Sequence, residues 1–281
     1  MSKMKTALHK QTVARYKYIK YLKSTGITFS EYCDYFYSNK NTGNDVTESL
    51  LYDKLIKRNN TFWFVQNVEE IFVDEVYKFV SNSDAPYIID CGVNIGLSLI
   101  YFKKNHPKAK ILGFEPDANV YNTCLNNLKS FGFEDIEVEN AAVWKEDGAI
   151  NFLPDNSLGG KIVDSADAGV TRRVNKIDAV RLNTYLNQKI DFLKIDIEGS
   201  ELEVMRDCKN NLHHVENLFV EYHSPWEKPQ ELAELLTIMR EAGFRYYIES
   251  AWNNMSHPFV EHISRSGPGY DLQLNIFAYR H

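Results

Sequence analysis

The sequence predicts an α/β fold: a mostly parallel sheet with helices on both faces, preceded by a helical N-terminal extension. Three observations carry this. From Tyr87 onward, short apolar runs alternate with stretches whose apolar residues recur at helical spacing. The first apolar run ends in a glycine-punctuated turn, Asp90-Cys-Gly92-Val-Asn94-Ile-Gly96, and Leu97 to Phe102 then follow at helical spacing. Two later runs end in alternating charged side chains, Lys194-Ile-Asp196-Ile-Glu198-Gly199 and Val220-Glu221-Tyr-His223. That is where the ligand sites of parallel sheets lie.

The elements follow in order. Residues 1–23 carry Lys3, Lys5, Lys10, Arg15, Lys17, Lys20 and Lys23 and no acid, with Met4, Leu8, Thr12, Tyr16, Ile19 and Leu22 at three- to four-residue steps. This predicts a basic amphipathic helix, which either packs on the domain with its lysines in water or makes weak contact with an anionic membrane surface. Phe29 to Tyr37 is tyrosine-rich, and 39–44 reads as a polar loop. Val46 to Ile56 reads as a helix, as does Val68 to Val80. The polar stretch 81–86 marks a boundary. Residues 1–84 then form an extension, open to use as a cap, a substrate region or a contact with a second copy of the chain, and 85–281 form the main domain. Within it, strands are expected at Tyr87–Ile89, Lys110–Glu115, Ile136–Val143, Val174–Leu182, Ile190–Ile195 and Asn217–Tyr222. Helices are expected after Gly96, over Asp117–Phe131, from Ser200 and over Gln230–Ala242. Gly148–Leu153 reads as a hairpin arm, Asp155–Gly169 as a mobile loop, and Phe244–Glu249 with Gln273–Tyr279 as a closing antiparallel pair.

Composition bounds the function. A chain of 281 residues, 44% hydrophobic, holds one large α/β domain plus an extension. Lys+Arg 32 against Asp+Glu 38 gives a net charge of −6, which speaks against a dedicated nucleic-acid binder. No apolar run reaches the roughly 18 residues of a transmembrane segment. Cys33, Cys91, Cys124 and Cys208 show no metal spacing and read as free thiols in a cytoplasmic protein.

The glycine turn sets the chemistry. Gly92 and Gly96 let a ligand approach the backbone, and the helix N-terminus beside them offers N–H groups. A dinucleotide fingerprint would read G-x-G-x-x-G. Here an acid, Asp90, ends the strand and Asn94 sits in the turn. Asp90 repels phosphate and suits a ligand with a positive amino group, such as S-adenosylmethionine. Glu115, at the end of the second strand before Pro116, stands where a ribose would receive a bidentate acceptor. Asn140 and Ala141 end the third strand with room for an adenine ring. Asp196, Glu221 and His223 end neighbouring strands, and alternation places them on one face. They are the expected catalytic group, with Asp196 also counted toward the cofactor. His223 acts as a general base or the three hold a divalent metal ion.

The run from Asp90 to Gly96, Glu115-Pro116, the Lys194-to-Gly199 segment and Val220-to-His223 together resemble the FkbM family of S-adenosylmethionine-dependent methyltransferases, over roughly 87–247. The resemblance implies a class I methyltransferase (Rossmann-like) fold with a seven-stranded sheet in the order 3-2-1-4-5-7-6. It also implies O-methylation of a hydroxyl on a sugar, glycan or natural product. Two other functions stay open: a protein that binds the cofactor without turnover, and another nucleotide-dependent enzyme such as a reductase.

Overall fold

The computed structural model describes residues 12–13, 15–37, 47–153, 161–162, 175–264 and 269–280. The expected polar loop at 39–44, the lysine-rich start of the basic helix and most of the expected loop 155–169 lie outside them.

The described residues of the expected basic helix are helical and end in a π turn, Tyr18–Leu22; helix α1 (Phe29–Tyr37) follows. The stretch expected as a helix from Val46 to Ile56 is instead a hairpin of β1 (Thr47–Leu51) and β2 (Lys54–Arg58). Its two-residue turn, Tyr52-Asp53, has both residues at positive φ, 50° and 62°. That turn geometry matches the twist of paired strands. The leucines and isoleucine of this stretch fit either periodicity. Pairing buries Leu51 and Ile56 and leaves Leu50 and Leu55 exposed. Helix α2 (Thr61–Val68) runs on into one π turn, Glu69–Val73, and stops. The helix expected over 68–80 is therefore mostly absent. Glu75 turns the chain at φ 53°, and Tyr77 and Phe79 leave helical register to pack on Phe102 and Phe192.

The main sheet contains β3 (Tyr87–Cys91), β4 (Lys110–Phe114), β5 (Glu137–Glu139), β10 (Ile190–Ile195), β11 (Val215–Pro225), β12 (Arg245–Trp252) and β13 (Tyr270–Tyr279). Its order is β5-β4-β3-β10-β11-β13-β12. Counted along the chain this is 3-2-1-4-5-7-6, as the resemblance implies. The first five strands are parallel, and β13 enters antiparallel between β11 and β12. The order reverses between β3 and β10, the crevice where such sheets bind ligands.

The expected third strand, Ile136–Val143, is split. Its first part is β5. Its second, β6 (Ala142–Trp144), leaves the main sheet and joins β7 (Gly148–Leu153), β8 (Lys161–Ile162) and β9 (Asn175–Arg181) in a separate sheet of order β6-β9-β7-β8. Asn140 marks the break: its side-chain amide donates to the carbonyls of Glu115 at 2.8 Å and Pro116 at 3.2 Å.

Two apolar layers cover the main sheet, and the period of two decides which residue enters which. Ile88, Phe192 and Phe219 face one layer. Ile89, Leu193 and Val220 face the other. The first layer holds α3 (Leu97–Asn105) and the extension, with Leu22, Leu51, Ile56, Phe64, Val65 and Val68 in the same core as Ile88 and Phe192. Because α3 lies between sheet and extension, Leu97 through Lys103 are all buried, and it shows no polar face. The first layer also holds α4 (Ala118–Phe131), through Val120, Cys124 and Leu128, and the second holds α5 (Glu201–Cys208) and α6 (Leu232–Glu241). No helix among the described residues is long and apolar enough to cross a membrane.

Candidate active site

The end of β3 and the start of α3 are held by a buried charge cluster. Asp90 is fully buried and accepts from the Ser98 hydroxyl at 2.5 Å. Lys194, on the neighbouring strand β10, lies 3.2 Å from Asp90, 3.2 Å from Asp196 and 2.9 Å from the Gly92 carbonyl, to which it donates. Burial pushes the Asp90 carboxyl up, against the pull of the Lys194 ammonium and the Ser98 hydroxyl. Burial alone would lower the Lys194 ammonium, but Asp196 and Asp90 override it and hold it well above its ordinary value. Asp90 is thus fully buried and acts on the turn through Lys194 and Ser98.

The turn itself admits little variation. Gly92 has φ +86°, and a Cβ there would lie 1.9 Å from the Asp196 carbonyl oxygen. Gly96 has φ +89°, and a Cβ would meet the Cys124 sulfur at 2.9 Å. Between them Asn94 sits at φ 50°, and its backbone N–H donates to Glu115 Oε2 at 3.0 Å. The other Glu115 oxygen accepts from the Asp117 N–H at 3.0 Å. So Glu115 reaches from the end of β4 to the turn. Burial pushes its carboxyl up to about 8 even with both N–H groups on it. Asp117 caps α4, accepting from the N–H groups of Asn119 and Val120. Ala141 is buried beside the exposed Asn140.

Asp196, Glu221 and His223 do come together: one donor atom from each lies within 4.8 Å of the others. The register explains it. Ile195 pairs with Val220, so Asp196 continues beside Glu221, and His223 follows on the same face two residues later. His223 Nε2 lies 3.4 Å from Glu221 and 3.7 Å from Glu198, while Nδ1 lies 3.0 Å from Glu201. Burial disfavours the charged imidazole, but Glu198, Glu201 and Glu221 outweigh it and hold His223 well above its ordinary value.

Four further groups were not expected here. Glu201, at the start of α5, accepts from the Gly199 N–H at 2.9 Å and fixes the His223 ring. Tyr270 donates to Glu198 at 3.0 Å and packs its ring 4.8 Å from that of His223. Asn275 lies directly across from Glu221 on β13, and its amide donates to Glu70 at 2.9 Å. Glu70, from the π turn of the extension, is pushed up to about 7 by burial and then by Glu221. The alternation that exposes Asp196 and Glu221 in the sequence has no counterpart for these four. In the extension, Trp63 packs its ring 5.5 Å from that of Trp252 on β12.

The match to a known family covers the glycine turn, Glu115, Asp196, Glu221 and His223, while Glu70, Tyr270 and Asn275 lie outside it. Residues 90–246 match the family described as the Methyltransferase FkbM domain. The chain belongs to the FkbM methyltransferase family. Among its curated relatives, Methyltransferase 1 of Beauveria bassiana is 26% identical over 204 residues, 64% of this chain and 81% of that protein. Methyltransferase sdnD of Sordaria araneosa is 26% identical over 212 residues, 63% of this chain and 80% of that protein. The 2-O-methyltransferase NoeI of Sinorhizobium fredii is 23% identical over 155 residues, 49% of this chain and 63% of that protein. The chain is thus an S-adenosylmethionine-dependent methyltransferase of Rossmann-like fold.

Proposed function

We propose that this FkbM methyltransferase methylates a hydroxyl oxygen of a sugar, glycan or other natural product. The observation that carries the proposal is the adjacency of two groups at the reversal of strand order. The glycine turn with Glu115 lies on β3 and β4, and Asp196, Glu221 and His223 lie at the ends of β10 and β11. The name of the NoeI relative, a 2-O-methyltransferase, supports oxygen as the acceptor.

The cradle fits the cofactor: positions 92 and 96 have no room for a Cβ, and an acid ends the second strand. S-adenosylmethionine supplies an electrophilic methyl group on a sulfonium. The protein's part is placement. Glu115 accepts from the ribose hydroxyls, the Asp90–Lys194 pair holds the turn in shape, and Asn140 with Ala141 borders the base. Asp196 and Glu221 would hold the acceptor oxygen beside the bound cofactor, whose methyl group it would attack in line. An alcohol is a weak acid, so its proton would pass to a carboxylate at the ends of β10 and β11, Asp196 or Glu221.

The test is incubation of the full chain with S-adenosylmethionine bearing a deuterated methyl group and a panel of glycans and alcohols, read by fragmentation mass spectrometry. The expected product carries one labelled methyl on a hydroxyl oxygen. Labelling confined to amines or carbon would overturn the assignment to oxygen.

A further inference from the structure

We propose that Asp196, Glu221 and His223 bind one divalent cation of the hard, oxygen-preferring kind, Mg²⁺ or Mn²⁺. The role of that cation rests on the O-methylation reading; its binding does not.

The three donor atoms all lie within 4.8 Å of one another. For bonds of about 2.1 Å, neighbouring ligands of an octahedral ion stand about 3 Å apart and opposite ones about 4.2 Å. A small contraction brings these three onto one ion. The imidazole is already oriented for it. Glu201 holds Nδ1 at 3.0 Å and is itself fixed by the N–H groups of Gly199 and Ile197. Nε2 is thereby directed at Glu221, at 3.4 Å. A carboxylate behind a ligating histidine is the usual outer partner of such a site.

An independent sign comes from Asn275. It is 5% exposed and sits directly across β13 from Glu221, on the same face. Its amide nitrogen donates to Glu70, but its buried side-chain carbonyl oxygen has no hydrogen-bond partner. A buried carbonyl left without a donor costs roughly 1–3 kcal/mol. A cation, or water bound to one, would satisfy it.

The charge balance runs the same way. Glu70, Asp90, Asp196, Glu198, Glu201 and Glu221 gather around Lys194 and His223. Lys194 lies against Asp90 and Oδ2 of Asp196, so six acids share two cationic side chains. A divalent cation acidifies an oxygen ligand, as an alcohol acceptor requires before it takes a methyl group.

The experiment titrates the full chain with Mn²⁺ alone, without cofactor or acceptor, and follows free Mn²⁺ by electron paramagnetic resonance. One Mn²⁺ per chain is expected, displaced by excess Mg²⁺. Glu221→Gln and His223→Gln should each weaken it by roughly tenfold or more. Electron spin echoes of the bound ion should show modulation from a directly coordinated nitrogen in the unaltered protein, a readout that does not depend on a variant folding. No binding at millimolar Mn²⁺, binding that both variants leave unchanged, or a bound ion without nitrogen modulation would overturn the site. Calorimetry with S-adenosylhomocysteine, run separately, reports on the cofactor pocket, so a failed metal site and a failed methyltransferase assignment give different patterns.

Discussion

Glu115 carries opposed demands. It is buried with its carboxyl held at about 8 rather than the ordinary 4.5, so ionising it costs the folded chain. A raised acid works against stability as pH rises: the cost is absent below the unfolded pKa near 4.5 and complete above about 8. Glu115→Gln should therefore be neutral near pH 4.5. It should gain on the order of 1–2 kcal/mol, a few degrees in Tm, by pH 8 and above. The same change should weaken S-adenosylhomocysteine by about tenfold or more, since charge-assisted hydrogen bonds are worth roughly 1.5–3 kcal/mol each. Calorimetry and melting curves across pH check both halves; a variant less stable at pH 8 would show that the carboxylate is stabilising. Gly92 makes the same point by sterics. Gly92→Ala drives a methyl into the Asp196 carbonyl, whereas Gly132→Ala, at φ +74° with nothing within 4 Å, meets only the backbone cost of about 1–2 kcal/mol. Thermal melts should show the first losing at least roughly twice as much as the second. The acids and histidine on β10 and β11 are legible in sequence because charge alternates along an otherwise apolar run. Glu70, Glu201, Tyr270 and Asn275 are not, because each arrives from a separate element and carries no local pattern.

At the scale of elements, legibility follows burial on both faces. Ile190–Ile195 is buried throughout and reads as a strand with no ambiguity. Thr47–Arg58 is buried on one face only, and its paired apolar residues suit a helix equally well; the turn at Tyr52-Asp53 decides, and neither residue is a glycine that would announce it. The 68–80 stretch misleads for another reason: Val68, Phe72, Val76 and Phe79 recur at helical steps, yet Tyr77 and Phe79 are drawn out of helical register by the aromatic cluster around Phe102 and Phe192. The break after β5 is set by hydrogen bonds from Asn140 to a loop far away in sequence. Beyond the shared core, α4 ties the hairpin to the domain through Ser130, whose hydroxyl donates to the Leu55 carbonyl at 2.7 Å, and through the buried Asn127. Its side-chain oxygen accepts from the Lys57 N–H at 2.7 Å, and its amide donates to the carbonyls of Lys57 at 3.0 Å and Ile95 at 2.9 Å. Through Ile95 the same amide reaches the glycine turn. Asn127→Ala leaves three backbone groups without that partner and should cost roughly 2–4 kcal/mol in urea unfolding. A loss below about 0.5 kcal/mol would mean that water replaces the amide fully.

For the molecule as a whole, the division of the sequence at 84/85 is not a division of the core. Leu22, Leu51, Ile56, Phe64, Val65 and Val68 lie in one cluster with Ile88, Ile100, Phe102, Phe192 and Phe219. Removing residues 1–84 would return one side of α3 and part of one sheet face to water. Each large apolar side chain moved from core to solvent costs roughly 1.5–3 kcal/mol. Partial exposure of the five on the domain side is therefore comparable to the 5–15 kcal/mol that holds a typical domain together. The loss is also chemical, since Glu70 and its bond to Asn275 go with the extension. Residues 85–281 alone are thus expected to be insoluble or to unfold without a sharp transition, and adding residues 1–84 as a separate chain should restore little, because two pieces must then meet in solution. Soluble yield, a melting curve and S-adenosylhomocysteine calorimetry on the fragment decide it. A fragment that melts sharply within a few degrees of the full chain would show the extension to be a dispensable cap. Acceptor KM measured on such a fragment would then report how much of the acceptor pocket the extension supplies.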